Sequence, residues 1–311
     1  MASFTGIYPA LVTPVHEDLS INVEMLRKLV EFHLRAGVDG LWVGGATAEA
    51  MQLTEEERRL VASTVVDAAD GRVNVIVHVG SPDGLAAARL AVHAEQAGAD
   101  AVASVPPFFL PHAQDAIIGH YRRLADSCSL PLFMYHLPGL TQVPITTTLA
   151  ESLLKIPQVQ GIKFSEQNVT LMRQIKNLSP NRLSILFGMD SMLLAGLVMG
   201  ADGGVGGSYN YLPGAYVRIF DAFRRGDLAN AQALQHQTTD ILLSLSGMAV
   251  PTAKCVMRLL GYDCGPTRPS LTMPSKADEE AIARVFQRHR KWLETIAITA
   301  PNVQPAVAGQ C

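Results

Sequence analysis

A Gly-x-Asp signature recurs three times along this chain: "AGVDGLWV" from Ala36, "AGADAVAS" from Ala97 and "MGADGGVG" from Met199. In each copy the glycine reads as a helix C-cap, followed by a loop and entry into an apolar strand. The glycines fall at 37, 98 and 200, separations of 61 and 102 residues. A βα unit occupies roughly 30–34 residues, so two units fit the first gap and three the second.

Strand-like runs fall where that count requires them: "GIYPALVT", "DGLWVGG", "VNVIVHVG", "DAVASVPP", "PLFMYHLP", "GIKFS", "SILFG" and "GGVGGS". Helical patterns lie between. Thr54 and Glu57 form a capping box ahead of Leu60, Val61, Val65 and Val66. After Ser81, Pro82 suits the first helical position, where a missing N–H costs nothing. Eight strands alternating with helices predict an α/β protein, a closed parallel (β/α)8 TIM barrel. The rival, an open doubly wound sheet, lacks its GxGxxG fingerprint after the first strand. From about 227 to 297 the pattern is helical only. The expected layout is therefore a barrel over 1–225, a helical extension packed on it over 226–298 and a disordered tail over 299–311.

Composition narrows the function. An apolar fraction of 48% supports a large core, and a formal charge of −3 gives no support to nucleic acid or an anionic membrane as partner. The four cysteines, at 128, 255, 264 and 311, make no CxxC pair and no metal-ligand cluster with histidine. The N-terminus lacks a basic n-region and an apolar h-region, and no apolar run is long enough to span a bilayer. A soluble, reduced, cytoplasmic protein without a metal is expected.

Barrel enzymes carry reactive groups at the C-terminal ends of their strands. In "QGIKFSE", residues 160–166, Lys163 stands among residues suited to an interior strand, although lysine is almost never buried without a partner or a use. Tyr135 ends the preceding strand. A lysine in an apolar barrel mouth has its neutral amine favoured by desolvation, which makes it a nucleophile toward carbonyls. A tyrosine beside it can move the protons of carbinolamine and imine formation. Gly44 and Gly45 allow close backbone approach, and Thr47 supplies a hydroxyl and an N–H suited to a carboxylate. Taken alone, Lys163 can also snorkel at a sheet end or pair with an acid, and Tyr135 can be a core aromatic. His136 and His78 read as packing histidines, and Asp39, Asp100 and Asp202 as structural turn residues because they recur with the repeat.

Tyr135, Leu137 and Pro138 in "YHLPG", Lys163 in "GIKFS" and the "GGATAE" loop resemble the pyruvate-dependent class I aldolases of the dihydrodipicolinate synthase/N-acetylneuraminate lyase superfamily, over residues 4 to about 295. The resemblance implies an imine between Lys163 and pyruvate or the pyruvyl end of a 2-oxo acid. It implies proton transfer by Tyr135, a carboxylate held at Ala46–Thr47, an aldehyde as second reactant, no cofactor and a homotetramer. The synthase branch has two loop hydroxyls, a second tyrosine and an arginine after the tyrosine motif. Here Ala46, Phe108 with Phe109, and Leu140 stand in those places. The later blocks resemble N-acetylneuraminate lyase more closely. They imply Ser165, Gly188, Asp190, Val205 and Ser208 as substrate-binding residues, the tail of a sugar acid lying against Ser165, Gly188, Asp190 and Ser208. Ser191 replaces an acidic residue and Ala48 a glycine, which leaves room for a less hydroxylated 2-oxo acid. A 2-keto-3-deoxy sugar acid aldolase or dehydratase, a dihydrodipicolinate synthase-like protein and a 2-oxo acid-binding pseudoenzyme are the alternatives.

Overall fold

Eight strands form: β1 (Gly6–Pro9), β2 (Gly40–Val43), β3 (Asn74–His78), β4 (Ala101–Ser104), β5 (Leu132–His136), β6 (Val159–Phe164), β7 (Ser184–Phe187) and β8 (Gly203–Gly206). The structure is a computed structural model and describes residues 4–245 and 249–296. The expected tail at 299–311 lies outside the described residues. All strand pairs are parallel, in the order β1-β8-β7-β6-β5-β4-β3-β2. Between β1 and β2 the ring closes through Asp39 N–H to the Ile7 carbonyl (3.0 Å) and Leu11 N–H to the Trp42 carbonyl (3.0 Å). The protein is a TIM barrel, as the alternation predicts.

Each strand is buried on both faces, and the period of two sorts its side chains. Outward residues such as Ile162, Phe164, Ile185 and Phe187 pack under the helices. Inward residues, among them Tyr8, Trp42, Ile76, Phe133, Tyr135, Leu186 and Val205, fill the barrel. Large and small alternate there: a Cβ on Gly161 would sit 2.2 Å from the Phe133 ring, so only glycine leaves that ring its space.

The Gly-x-Asp repeat is one device used three times. Gly37, Gly98 and Gly200 all have positive φ (78°, 88° and 101°), the left-handed turn that ends a helix. The aspartate then reaches sideways to the neighbouring strand. Asp39 accepts from Ile7 N–H (2.8 Å), Asp100 from Val75 N–H (2.7 Å) and Asp202 from Ile185 N–H (2.7 Å). These carboxylates clasp the N-terminal ends of adjacent strands together, which is a more specific structural role than a turn.

The capping box at Thr54 and Glu57 forms as expected. Pro82 is a correction: it lies outside the helix, which spans Gly84–Gln96 with Asp83 as its cap, accepting from Leu85 N–H. An aspartate satisfies an orphan helix donor directly, so it sets the start in preference to proline. After the last barrel helix, Pro213–Arg224, come helices Leu228–Ser244, Ala249–Leu259, Lys276–Arg288 and Arg290–Thr295. Among the described residues no single helix is long and apolar enough to cross a membrane.

Candidate active site

Tyr135 on β5 and Lys163 on β6 are register partners, both pointing into the barrel near the C-terminal ends of their strands. Lys163 is 4% exposed, and its Nζ lies 4.5 Å from the Tyr135 ring centre and 4.6 Å from that of Trp42. Among the described residues it has no ion-pair partner. Other sequestered lysines are paired: Lys254 Nζ lies 3.0 Å from Glu49, and Lys176 Nζ 2.7 Å from Asp202. Lys163 therefore neither snorkels nor sits in a salt bridge. Burial pushes its amine down to about 7, with the Asp190 carboxylate opposing the shift. Near neutral pH a large share of it is an unprotonated nucleophile.

Burial raises the Tyr135 phenol, while a hydrogen bond with Ser165 works against that rise. Ser165 is positioned by a missing side chain opposite it: a Cβ on Gly188 would stand 2.2 Å from Ser165 Oγ. Asp190 follows β7 and accepts from Ser208 N–H (2.7 Å) and Ser208 Oγ (2.5 Å). Ser208 Oγ also lies 2.6 Å from the Tyr216 hydroxyl. Burial raises the Asp190 carboxyl, and the two Ser208 bonds resist it. Gly206 at the end of β8 makes room for that carboxylate, since a Cβ there would fall 2.1 Å from Oδ1. Val205 points inward from β8 with the Tyr135 layer.

The Ala46–Ala48 turn follows β2, with Ala46 exposed and Thr47 half-buried. As the opening residues of a helical turn, Ala46 and Thr47 have N–H groups with no acceptor inside it. A Cβ on Gly207 would lie 3.3 Å from Thr47 Oγ1, so this turn faces the end of β8. The residues implied for substrate thus lie at the ends of β2, β6, β7 and β8 around Lys163. Phe108 packs against the barrel interior, whereas Phe109 is 89% exposed and Leu140 is also exposed.

His78 and His136 are satisfied core histidines. His78 Nδ1 donates to the Gly44 carbonyl (2.7 Å), and burial holds the ring down to about 3. His136 stacks on Phe164, accepts from Ile145 N–H through Nδ1 and donates through Nε2 to Glu166 (2.6 Å). Sequence reasoning passes over two features of the site. Trp42 lies against Lys163, and only the strand period, which turns it inward beside Gly44, signals this. Glu49 ends the "GGATAE" turn in a buried pair with Lys254, and its other oxygen accepts from Arg268 N–H (2.7 Å).

An unpaired lysine and a tyrosine in the mouth of a (β/α)8 barrel are the equipment of a class I aldolase or lyase, which works through a lysine imine. The chain belongs to the dihydrodipicolinate synthetase family, whose model matches residues 3–288. It is 34% identical over 291 residues to the N-acetylneuraminate lyase of Rhizobium meliloti (strain 1021), covering 93% of this chain and 97% of that one. Identity to the N-acetylneuraminate lyase of Citrobacter koseri is 37% over 238 residues, 76% of this chain and 80% of the relative. Among solved structures, the Escherichia coli K12 prophage protein YagE, in complex with pyruvate, superposes with a TM-score of 0.88 at 28% identity, covering 93% and 99% of the two chains. The Ruminococcus gnavus sialic acid aldolase does so with a TM-score of 0.90 at 26% identity, covering 94% and 99%. The protein is a class I, pyruvate-dependent aldolase or lyase of this family.

Proposed function

We propose that this enzyme cleaves, or in reverse condenses, a 2-oxo acid to pyruvate and an aldehyde, in the manner of N-acetylneuraminate lyase. The carrying observation is the buried, unpaired Lys163 amine in register with Tyr135. Lys163 Nζ adds to the C2 carbonyl of the substrate. Tyr135, kept protonated by burial, donates to the departing oxygen, and water leaves an iminium. The resulting phenolate takes the proton of the C4 hydroxyl, the C3–C4 bond breaks, and its electron pair enters the iminium to give an enamine and an aldehyde. Protonation at C3 and hydrolysis release pyruvate. The imine is the electron sink, so the sequence of steps uses no metal or organic cofactor.

Ala46 and Thr47 hold the substrate carboxylate, Val205 lines the barrel wall, and Gly188 stands at the tail end beside Ser165. Ser165, Asp190 and Ser208 face the hydroxylated tail. The Ser208 hydrogens already serve Asp190, which leaves this end fewer free donors and favours a sugar acid less hydroxylated than sialic acid. A 2-keto-3-deoxy sugar acid aldolase is the second reading on that ground. Leu140 in place of a cationic anchor disfavours aspartate semialdehyde, whose carboxylate would be desolvated and unpaired. A homotetramer is proposed as the assembly, to be read by light scattering.

The test is borohydride trapping with a panel of 2-oxo acids. One reduced pyruvyl group should map to the peptide containing Lys163, and Lys163→Ala should lose both adduct and turnover. An unmodified wild-type mass, under conditions that label a control aldolase, would leave a pseudoenzyme as the reading.

A further inference from the structure

We propose that Trp42 is a further catalytic residue. Its ring face supports the positive charge on the imine nitrogen, and its indole N–H donates to the carboxylate of the bound 2-oxo acid. The proposal rests on the Lys163 imine.

Trp42 is 0% exposed, and its backbone carbonyl is fixed by Leu11 N–H where the barrel closes. It meets Tyr135 edge to face, with ring centres 5.3 Å apart at 77°, and the Lys163 amine lies against both rings at 4.6 and 4.5 Å. When Lys163 Nζ adds to C2 and water departs with the proton from Tyr135, the nitrogen becomes a fixed cation bearing one hydrogen. Among the described residues no carboxylate pairs with that nitrogen, so the two aromatic rings are the electron-rich groups in contact with it. A cation desolvated over an indole is held by the ring quadrupole.

The second observation is the indole edge. Among the described residues Trp42 Nε1 is a fully buried donor without an acceptor, a condition that native interiors rarely tolerate. Its direction is readable from Gly45: a Cβ on that residue would lie 2.8 Å from Nε1. The indole edge therefore abuts Gly45, the residue that leads into Ala46 and Thr47, where the proposed carboxylate sits. With C2 bonded to Lys163, which lies against the Trp42 ring, the carboxylate one bond away is the acceptor proposed for this donor.

Trapping kinetics test the assignment. Trp42→Phe keeps a ring face and removes the donor, so half-saturating pyruvate should rise about 10-fold or more, the scale of a lost hydrogen bond to a charged group, with the saturating rate nearly unchanged. Trp42→Leu removes the face as well and should also lower the saturating rate by about 10-fold. The chain has two tryptophans, so Trp292→Phe leaves Trp42 as the sole indole. Its emission should change with pyruvate along the same saturation curve as trapping, and this readout survives even where a Trp42 variant fails to fold. Adduct formation in the wild type with unchanged half-saturation in Trp42→Phe, or emission indifferent to pyruvate, would overturn the role of Trp42 alone. Absence of a wild-type adduct at Lys163 would overturn both this role and the imine reading beneath it.

Discussion

Tyr135 and Lys163 stand opposite each other in the parallel register of β5 and β6, with the lysine nitrogen 4.5 Å from the tyrosine ring. Backbone hydrogen bonds set this relationship, not flexible side chains, because Met134 pairs with Ile162 and His136 with Phe164 on either side. A one-residue slip of either strand would turn its own group of the pair under the helices. The pair is thus positioned by the rigid part of the molecule, which suits the proton donor and nucleophile proposed for it.

Tyr135→Phe keeps the ring and its contacts with Trp42 and Lys163 and removes only the hydroxyl. Imine formation should slow by about 10²–10⁴-fold, the range for loss of a positioned acid or base. Rapid-quench borohydride trapping with pyruvate measures it. A rate near that of the wild type would assign the proton transfers to another group or to water.

Lowering the Lys163 amine by burial has a stability consequence. Its amine titrates at about 7 in the fold against 10.5 for an ordinary lysine, so the unfolded chain binds more protons throughout that interval. The penalty is full below about pH 7, shrinks as pH rises and vanishes above the unfolded value. At pH 7 it is on the order of 4 kcal/mol. Lys163→Met should therefore be the more stable protein in urea at pH 7, with the difference closing toward pH 10. Equal stability at both pH values would mean that the amine is not depressed.

The barrel and the Tyr135–Lys163 neighbourhood are legible in the sequence because both rest on local patterns. Strand runs alternate with helical ones, and a lysine interrupts an apolar run at a strand end. The Gly-x-Asp repeat is legible as a turn, but its clasp is not: Asp202 reaches Ile185 across a strand pair that only the fold creates. Pro82 and Asp83 compete within two residues, where proline position and carboxylate capping point to different helix starts. Least legible is the support behind the "GGATAE" loop, since Arg268 and Glu49 meet across 219 residues of chain.

That support yields a prediction of its own. Glu49 and Lys254 are buried together; Lys254 also donates to the Pro266 carbonyl (2.7 Å), and Arg268 binds Glu57 (2.6 Å). Lys254→Met leaves the buried Glu49 carboxylate without its cation, held only by Arg268 N–H, and should destabilise the fold by about 3–5 kcal/mol, with Lys254→Met/Glu49→Gln recovering part of the loss. Urea unfolding of the two singles and the double gives the coupling. Because Glu49 ends the turn that carries Ala46 and Thr47, the single variant should also raise KM for the 2-oxo acid more than it lowers kcat. Strictly additive stabilities would show that the pair is not coupled.

Asp190 connects the two ends of the proposed site. Its carboxylate is tied to Ser208 by two hydrogen bonds, and its charge acts on the Lys163 amine against the larger effect of burial. Asp190→Asn keeps the size and removes the charge, so the amine should lose its proton more readily, at a pH below about 7. The acid limb of imine formation, followed with cyanoborohydride and pyruvate from pH 5 to 9, should then move to lower pH. At the other end, turnover of a hydroxylated 2-oxo acid should fall, because an amide cannot accept from both Ser208 and a substrate hydroxyl as a carboxylate does. The two effects have opposite signs below neutrality: pyruvate trapping gains while cleavage of the longer substrate loses. An acid limb that stays in place would mean that the Asp190 carboxylate does not act on the Lys163 amine, and that its part in the reaction is confined to the substrate tail.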